Sequence, residues 1–164
     1  YDFSHFSLDN FIDWIKSEQN RSLQIVPFPM SGGVSGGWIR TKTDDFVFVD
    51  EAALPIHHLH IILHELSHIL CGHEINDLSS MSDQEMSSLL HSIFESGQHP
   101  QQSENIATQM LLRSPQSTEI ELEAETLCDL IQQQIAFQRL QEAVQQPLTC
   151  SKTVLEVYQQ MQWV

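Results

Sequence analysis

Residues 57–73, HHLHIILHELSHILCGH, place six histidines and one glutamate in an otherwise apolar run. No other part of the chain limits the possible folds as much. Ile61, Ile62, Leu63, Leu66, Ile69 and Leu70 recur at helical spacing, Pro55 can open the helix, and Gly72 can close it. The aliphatic face of such a helix needs a packed layer to cover it, and its histidines need something to hold. The tightest unit is His64-Glu65-Leu66-Ser67-His68, an H-E-x-x-H pattern. Residues four apart share one helical face, about 6 Å apart along the axis. Two imidazoles so placed can converge on one ion at about 2.0–2.1 Å, the usual distance for zinc. Glu65 then stands beside the ion, where it can take a proton from a water. An amphipathic core helix alone accounts for the aliphatic residues but not for a glutamate among them.

A catalytic zinc site usually has three protein ligands and one open position. His73 lies five residues after His68, whereas sites that complete the motif with a third histidine place it six residues on, with a glycine midway. Cys71 shares the helical face but stands about 10 Å of rise from His64. His57 and His60 meet the same difficulty in the other direction. The remaining donors lie in EIELEAETLCD, where Glu119, Glu121, Glu123 and Glu125 alternate. Glu123, between Ile120 and Leu127, sits at the edge of an apolar stripe, and a partly buried carboxylate needs a charged partner. Glu125 has its own claim, because Glu125-x-x-x-Asp129 imitates the ligand and supporting carboxylate of thermolysin-like enzymes. The stripe favours Glu123 and leaves Glu125 open.

At 164 residues the chain suits one well-cored domain, 1–164. A net charge of −15 argues against direct binding of nucleic acid, which needs a basic footprint. A basic protein partner, such as a DNA-binding protein, would instead be attracted. Cys71, Cys128 and Cys150 are odd in number and form no C-x-x-C pair, so a reducing cytoplasm is expected rather than a disulfide framework. No apolar run has the length of a membrane span. The start, Tyr1-Asp2-Phe3-Ser4-His5, has no signal-peptide character and lacks methionine, so the numbering is expected to begin inside a longer or trimmed chain.

Leu8, Phe11, Ile12 and Ile15 predict a helix over 7–19, capped by Ser7 or Asp9. Three short strands are expected near 22–27, 34–41 and 45–50. Gly32, Gly33, Gly36 and Gly37 lack the Gly-Lys-Ser/Thr of a phosphate loop and read as hairpin and bulge glycines. Two short helices are expected at 83–95 and 103–112. Thr118 and Glu121 have capping-box spacing and open a long helix with the stripe Ile120, Ala124, Leu127, Cys128, Ile131 and Ile135. Pro147 ends it, and a last amphipathic helix is expected over 151–163.

The order of an N-terminal helix, a small sheet with GGVSGGWI and FVFVDEAALP, then HELSHILCGH, then ELEAETL resembles the ImmA/IrrE family of metallopeptidases. Members of that family are often encoded beside a helix-turn-helix repressor. The resemblance covers residues 7–74 and 119–131, roughly half of the chain. It implies zinc bound by His64, His68 and Glu123, with Glu65 as the catalytic base. Leu127-Cys128 replaces the family's usual Phe-Ala, and the longer segment 75–117 reads as an insertion, a lid or a partner-binding element.

The fold expected is α+β and zincin-like, a small antiparallel three-stranded sheet with helices packed on one face. The activity implied is a zinc-dependent endopeptidase that cleaves a cognate helix-turn-helix transcriptional repressor. His73, His91, His99 and Tyr158 are the candidates for stabilising the oxyanion. The alternative class is a toxin or regulatory binding module that keeps the fold and acts by stoichiometric binding.

Overall fold

The computed structural model describes residues 1–30, 33–73 and 118–145, together with 81, 82, 84, 85, 87–89 and 91. It is a mixed α+β architecture. Helix α1 spans Leu8–Gln19, strand β1 Ser22–Phe28, strand β2 Gly36–Arg40, strand β3 Asp44–Asp50, helix α2 Pro55–Cys71 and helix α3 Thr118–Gln145. The expected insertion at 75–117 and the helices expected at 103–112 and 151–163 lie outside the described residues, apart from single positions. Of the helix expected over 83–95, residues 84, 85, 87–89 and 91 are helical.

Ser7 is the cap of α1: its hydroxyl oxygen accepts from the backbone N–H of Asn10 at 3.2 Å. Asn20 ends the helix in the left-handed region with φ 51°, a conformation its short polar side chain tolerates better than most. Phe11, Ile12 and Ile15 are buried and face the sheet and α2.

The sheet order is β1-β3-β2, with β2 antiparallel to β3 but β1 parallel to it. The expectation of an antiparallel sheet is therefore corrected to a mixed one. Alternating hydrophobic residues mark strands, but they do not say which strands pair. Residues 29–43, with β2 among them, serve as the crossover that a parallel pair requires. The sheet is also buried on both faces. Trp38, Val47 and Val49 join the core with α1, α2 and α3. Phe28, Ile39, Phe46 and Phe48 form a second cluster on the opposite face, packed against Val26, Met30 and Leu89. Central β3 is consequently apolar at successive positions.

Asp45 ties the end of the sheet together. It is 1% exposed, and it accepts from Arg21 Nε at 3.1 Å and from Arg40 Nε at 3.0 Å. One buried carboxylate thus joins the residue preceding β1 to the last residue of β2.

Pro55 stands in the first turn of α2, and Gly72, at φ 71°, caps its end. Both match the expected limits of the helix. Ala124, Cys128, Ile131 and Ile135 of α3 are buried, with Ile120 and Leu127 packed against the core. Among the described residues, no helix is long and apolar enough to cross a membrane.

Candidate metal centre

Helices α2 and α3 pack with antiparallel register. His68 faces Glu121, His64 faces Glu121 and Glu125, and His60 faces Glu125 and Gln132. Both rows follow from helical spacing, since residues three or four apart share a face. The histidines recur every four residues along α2, while Glu121, Glu125, Cys128 and Gln132 line one flank of α3.

The Nε2 atoms of His64 and His68 stand 3.2 Å apart. The Glu121 carboxylate closes the triangle, with Oε2 at 3.4 Å from His64 Nε2 and Oε1 at 3.6 Å from His68 Nε2. Two nitrogens each about 2.05 Å from a tetrahedral ion would be about 3.3 Å apart. Glu121 Oε1 is buried and accepts no hydrogen bond, a costly state for a carboxylate oxygen unless a cation faces it. These three side chains are therefore placed where they can hold a metal ion.

The outward ring nitrogens are held too. His64 Nδ1 lies 3.0 Å from Glu125 Oε2; an N–H donated there leaves the Nε2 lone pair free for a metal. His68 Nδ1 lies 2.9 Å from His73 Nδ1, and His73 Nε2 lies 3.3 Å from Glu123 Oε2. The consistent tautomers have His68 Nδ1–H donating to His73, and His73 Nε2–H donating to Glu123. His68 Nε2 then also presents a lone pair. Carboxylate and imidazole partners of this kind fix the orientation and basicity of ligating histidines.

Glu65, 8% exposed, sits against the first residue of β2. A Cβ on Gly36 would stand 2.5 Å from Ile61 Cγ2 and 3.1 Å from Glu65 Oε1. Gly36 is thus a close-approach glycine rather than a turn or bulge residue, while Gly33, at φ 81°, does occupy a turn conformation. Burial, and then the charge of Glu121, push Glu65 up to about 8. Burial, and then the neighbouring His64 and His73, push His68 down to about 4.

His64 and His68 are brought together, and Glu65, between them in sequence, is buried within reach of the charge of Glu121, but Glu123 is not the carboxylate that meets the two histidines. At about 100° per residue, Glu121 and Glu125 fall on one flank of the buried stripe and Glu123 on the other. Apolar periodicity locates both flanks and does not say which one meets α2. Glu121 is legible only as half of a capping box, an assignment that leaves no separate role for its carboxylate. Glu125 reaches a ring nitrogen of His64 rather than the shared Nε2 triangle. Of the oxyanion candidates, His73 has both ring nitrogens engaged. His91 is exposed, and His99 and Tyr158 lie outside the described residues.

Comparison with models of known families, with curated proteins and with solved structures finds no match for this chain.

Proposed function

We infer that the protein is a zinc-dependent endopeptidase, with His64, His68 and Glu121 as the metal ligands and Glu65 as the proton carrier. The observation that carries this reading is the convergence of His64 Nε2, His68 Nε2 and the buried, unbonded Glu121 Oε1 on one point. When bound, zinc would supply Lewis acidity toward a carbonyl and a positive charge favouring the Glu65 carboxylate over its acid form.

Glu65 would take the proton of the attacking water and pass it to the leaving amine. Its burial against Gly36 holds the carboxyl in one position and keeps bulk water from competing for it. Glu125 and the His73–Glu123 pair keep His64 and His68 in the ligating tautomer. A peptide substrate suits the neighbouring sheet: β2 is an edge strand, and an extended chain can add to such an edge by backbone hydrogen bonds. Gly36, at the start of that strand, lies beside Glu65, so a peptide added there would run close to the proton carrier.

The resemblance to ImmA/IrrE peptidases supports a helix-turn-helix repressor as substrate, and a net charge of −15 suits a basic protein surface. The free thiols of Cys71 and Cys128 suit the cytoplasm. Incubating the purified protein with any helix-turn-helix repressor encoded beside it, with and without zinc, tests the reading. Zinc-dependent cleavage at one site is expected. An intact repressor bound in a stable complex would overturn the peptidase assignment and favour stoichiometric binding.

A further inference from the structure

Cys71, His73 and Glu123 form a second group of metal-ligating side chains beside the first, with ligand atoms all within 4.8 Å of one another. The end of α2 creates it. Gly72 turns the chain in the left-handed region, so the last helical residue and the residue after the cap both meet Glu123. His73 is buried, Cys71 partly exposed and Glu123 exposed, which leaves the group open to solvent from one side. A sulfur, an imidazole nitrogen and a carboxylate oxygen together suit a borderline or soft divalent cation better than a hard one.

We propose that Cys71, His73 and Glu123 hold a thiophilic divalent cation, and that an ion there excludes one from the His64–His68–Glu121 site. The second site stands on its own ligands; the exclusion rests on the metal reading of the first. Its basis is the 2.9 Å contact between His68 Nδ1 and His73 Nδ1, which accommodates a single proton. With an ion at the first site, that proton belongs to His68, and His73 carries its own proton on Nε2. With an ion at the second site, His73 Nε2 must be the lone pair and the shared proton belongs to His73. His68 then carries its proton on Nε2 and cannot ligate. Between these states one proton leaves His73 Nε2 and one joins His68 Nε2, so both rings stay neutral, while the Cys71 thiol releases its proton on ligation. Filling both sites would set two N–H groups against each other across 2.9 Å or require an imidazolate.

A soft cation would therefore switch the first site off without entering it. The test uses the full chain loaded with one equivalent of cobalt and titrated with cadmium, following cobalt release and cadmium–thiolate absorption. About one cobalt should leave per cadmium bound, in step with the thiolate band. Cys71→Ser should abolish the band and shift cobalt release to higher cadmium, where direct competition alone acts. His64→Ala, which lacks the first site, should keep the band. Absence of the band in the wild type, or its persistence in Cys71→Ser, would overturn the second site. A full band with cobalt retained would overturn the exclusion. A band in a wild-type protein that takes up no cobalt would support the second site and count against the proposed function.

Discussion

Gly36 and Glu65 lie so close across the junction of β2 and α2 that a single methyl group on Gly36 would meet both Glu65 Oε1 and Ile61 Cγ2. The edge of the sheet and the proposed proton carrier are therefore one packing unit. Gly36→Ala should force α2 away from β2, costing about 1–3 kcal/mol as overpacking typically does. Activity should fall further than zinc affinity, because Glu65 moves while the ligating face does not meet the new methyl. Urea denaturation beside zinc titration checks this, and an unchanged stability would show that the junction yields freely.

Glu121, Glu123 and Glu125 of α3 meet different histidine atoms, and their alanine variants should rank accordingly. Glu123→Ala and Glu125→Ala remove partners of His73 and His64 and should each weaken zinc about 10–100-fold, the usual cost of losing such support. Glu121→Ala removes a proposed direct ligand and should cost more than either. Competition against a chelator gives the order, and a larger loss from Glu123→Ala would restore that residue as the ligand.

Without metal, the motif itself should shape the pH profile of stability. Glu65 rises from 4.5 to about 8 on folding, so between those values the folded chain keeps a proton that the unfolded chain has lost. Stability from this group falls as pH rises through that window. His68 drops from 6.5 to about 4, so there the unfolded chain binds the extra proton and stability falls as pH falls. The two slopes oppose each other between 4.5 and 6.5, which leaves a flat maximum. Denaturation of chelator-treated protein should show it, with the alkaline limb missing in Glu65→Gln and weakened by zinc. A stability that climbs from pH 6.5 to 8 without metal would be inconsistent with a buried, protonated Glu65.

Asp45→Ala should leave two arginines without their shared carboxylate at the end of the sheet. Breaking a buried ion pair costs about 3–5 kcal/mol. The two arginine side chains are about one-fifth exposed, which places the expected loss at the lower end. Zinc affinity below the unfolding transition should be unchanged, and a joint loss would tie the sheet end to the metal centre.

Elements governed by local spacing are legible in the amino-acid sequence. Ser7, Pro55 and Gly72 mark helix ends by their own backbone and side-chain chemistry, and the stripe of α3 follows from its apolar period. Pairings between distant segments are not legible in this way. Nothing in the alternation of β1 shows that it joins β3 in parallel, and a glycine at 36 looks the same whether it turns the chain or admits a helix. The two histidines and Glu65 lie within about one helical turn, so their placement needs only the helix. The third carboxylate depends on which flank of α3 meets α2, a tertiary fact carried by the packing of Ala124, Cys128 and Ile131.

The most direct test of the account is the Glu65→Gln variant, assayed for zinc content and repressor cleavage in the same preparation. The substitution keeps the shape of the side chain and all three proposed ligands while removing the proton acceptor. About one zinc per chain, with cleavage lost, is the predicted result. Cleavage at the wild-type rate with zinc in place would contradict it.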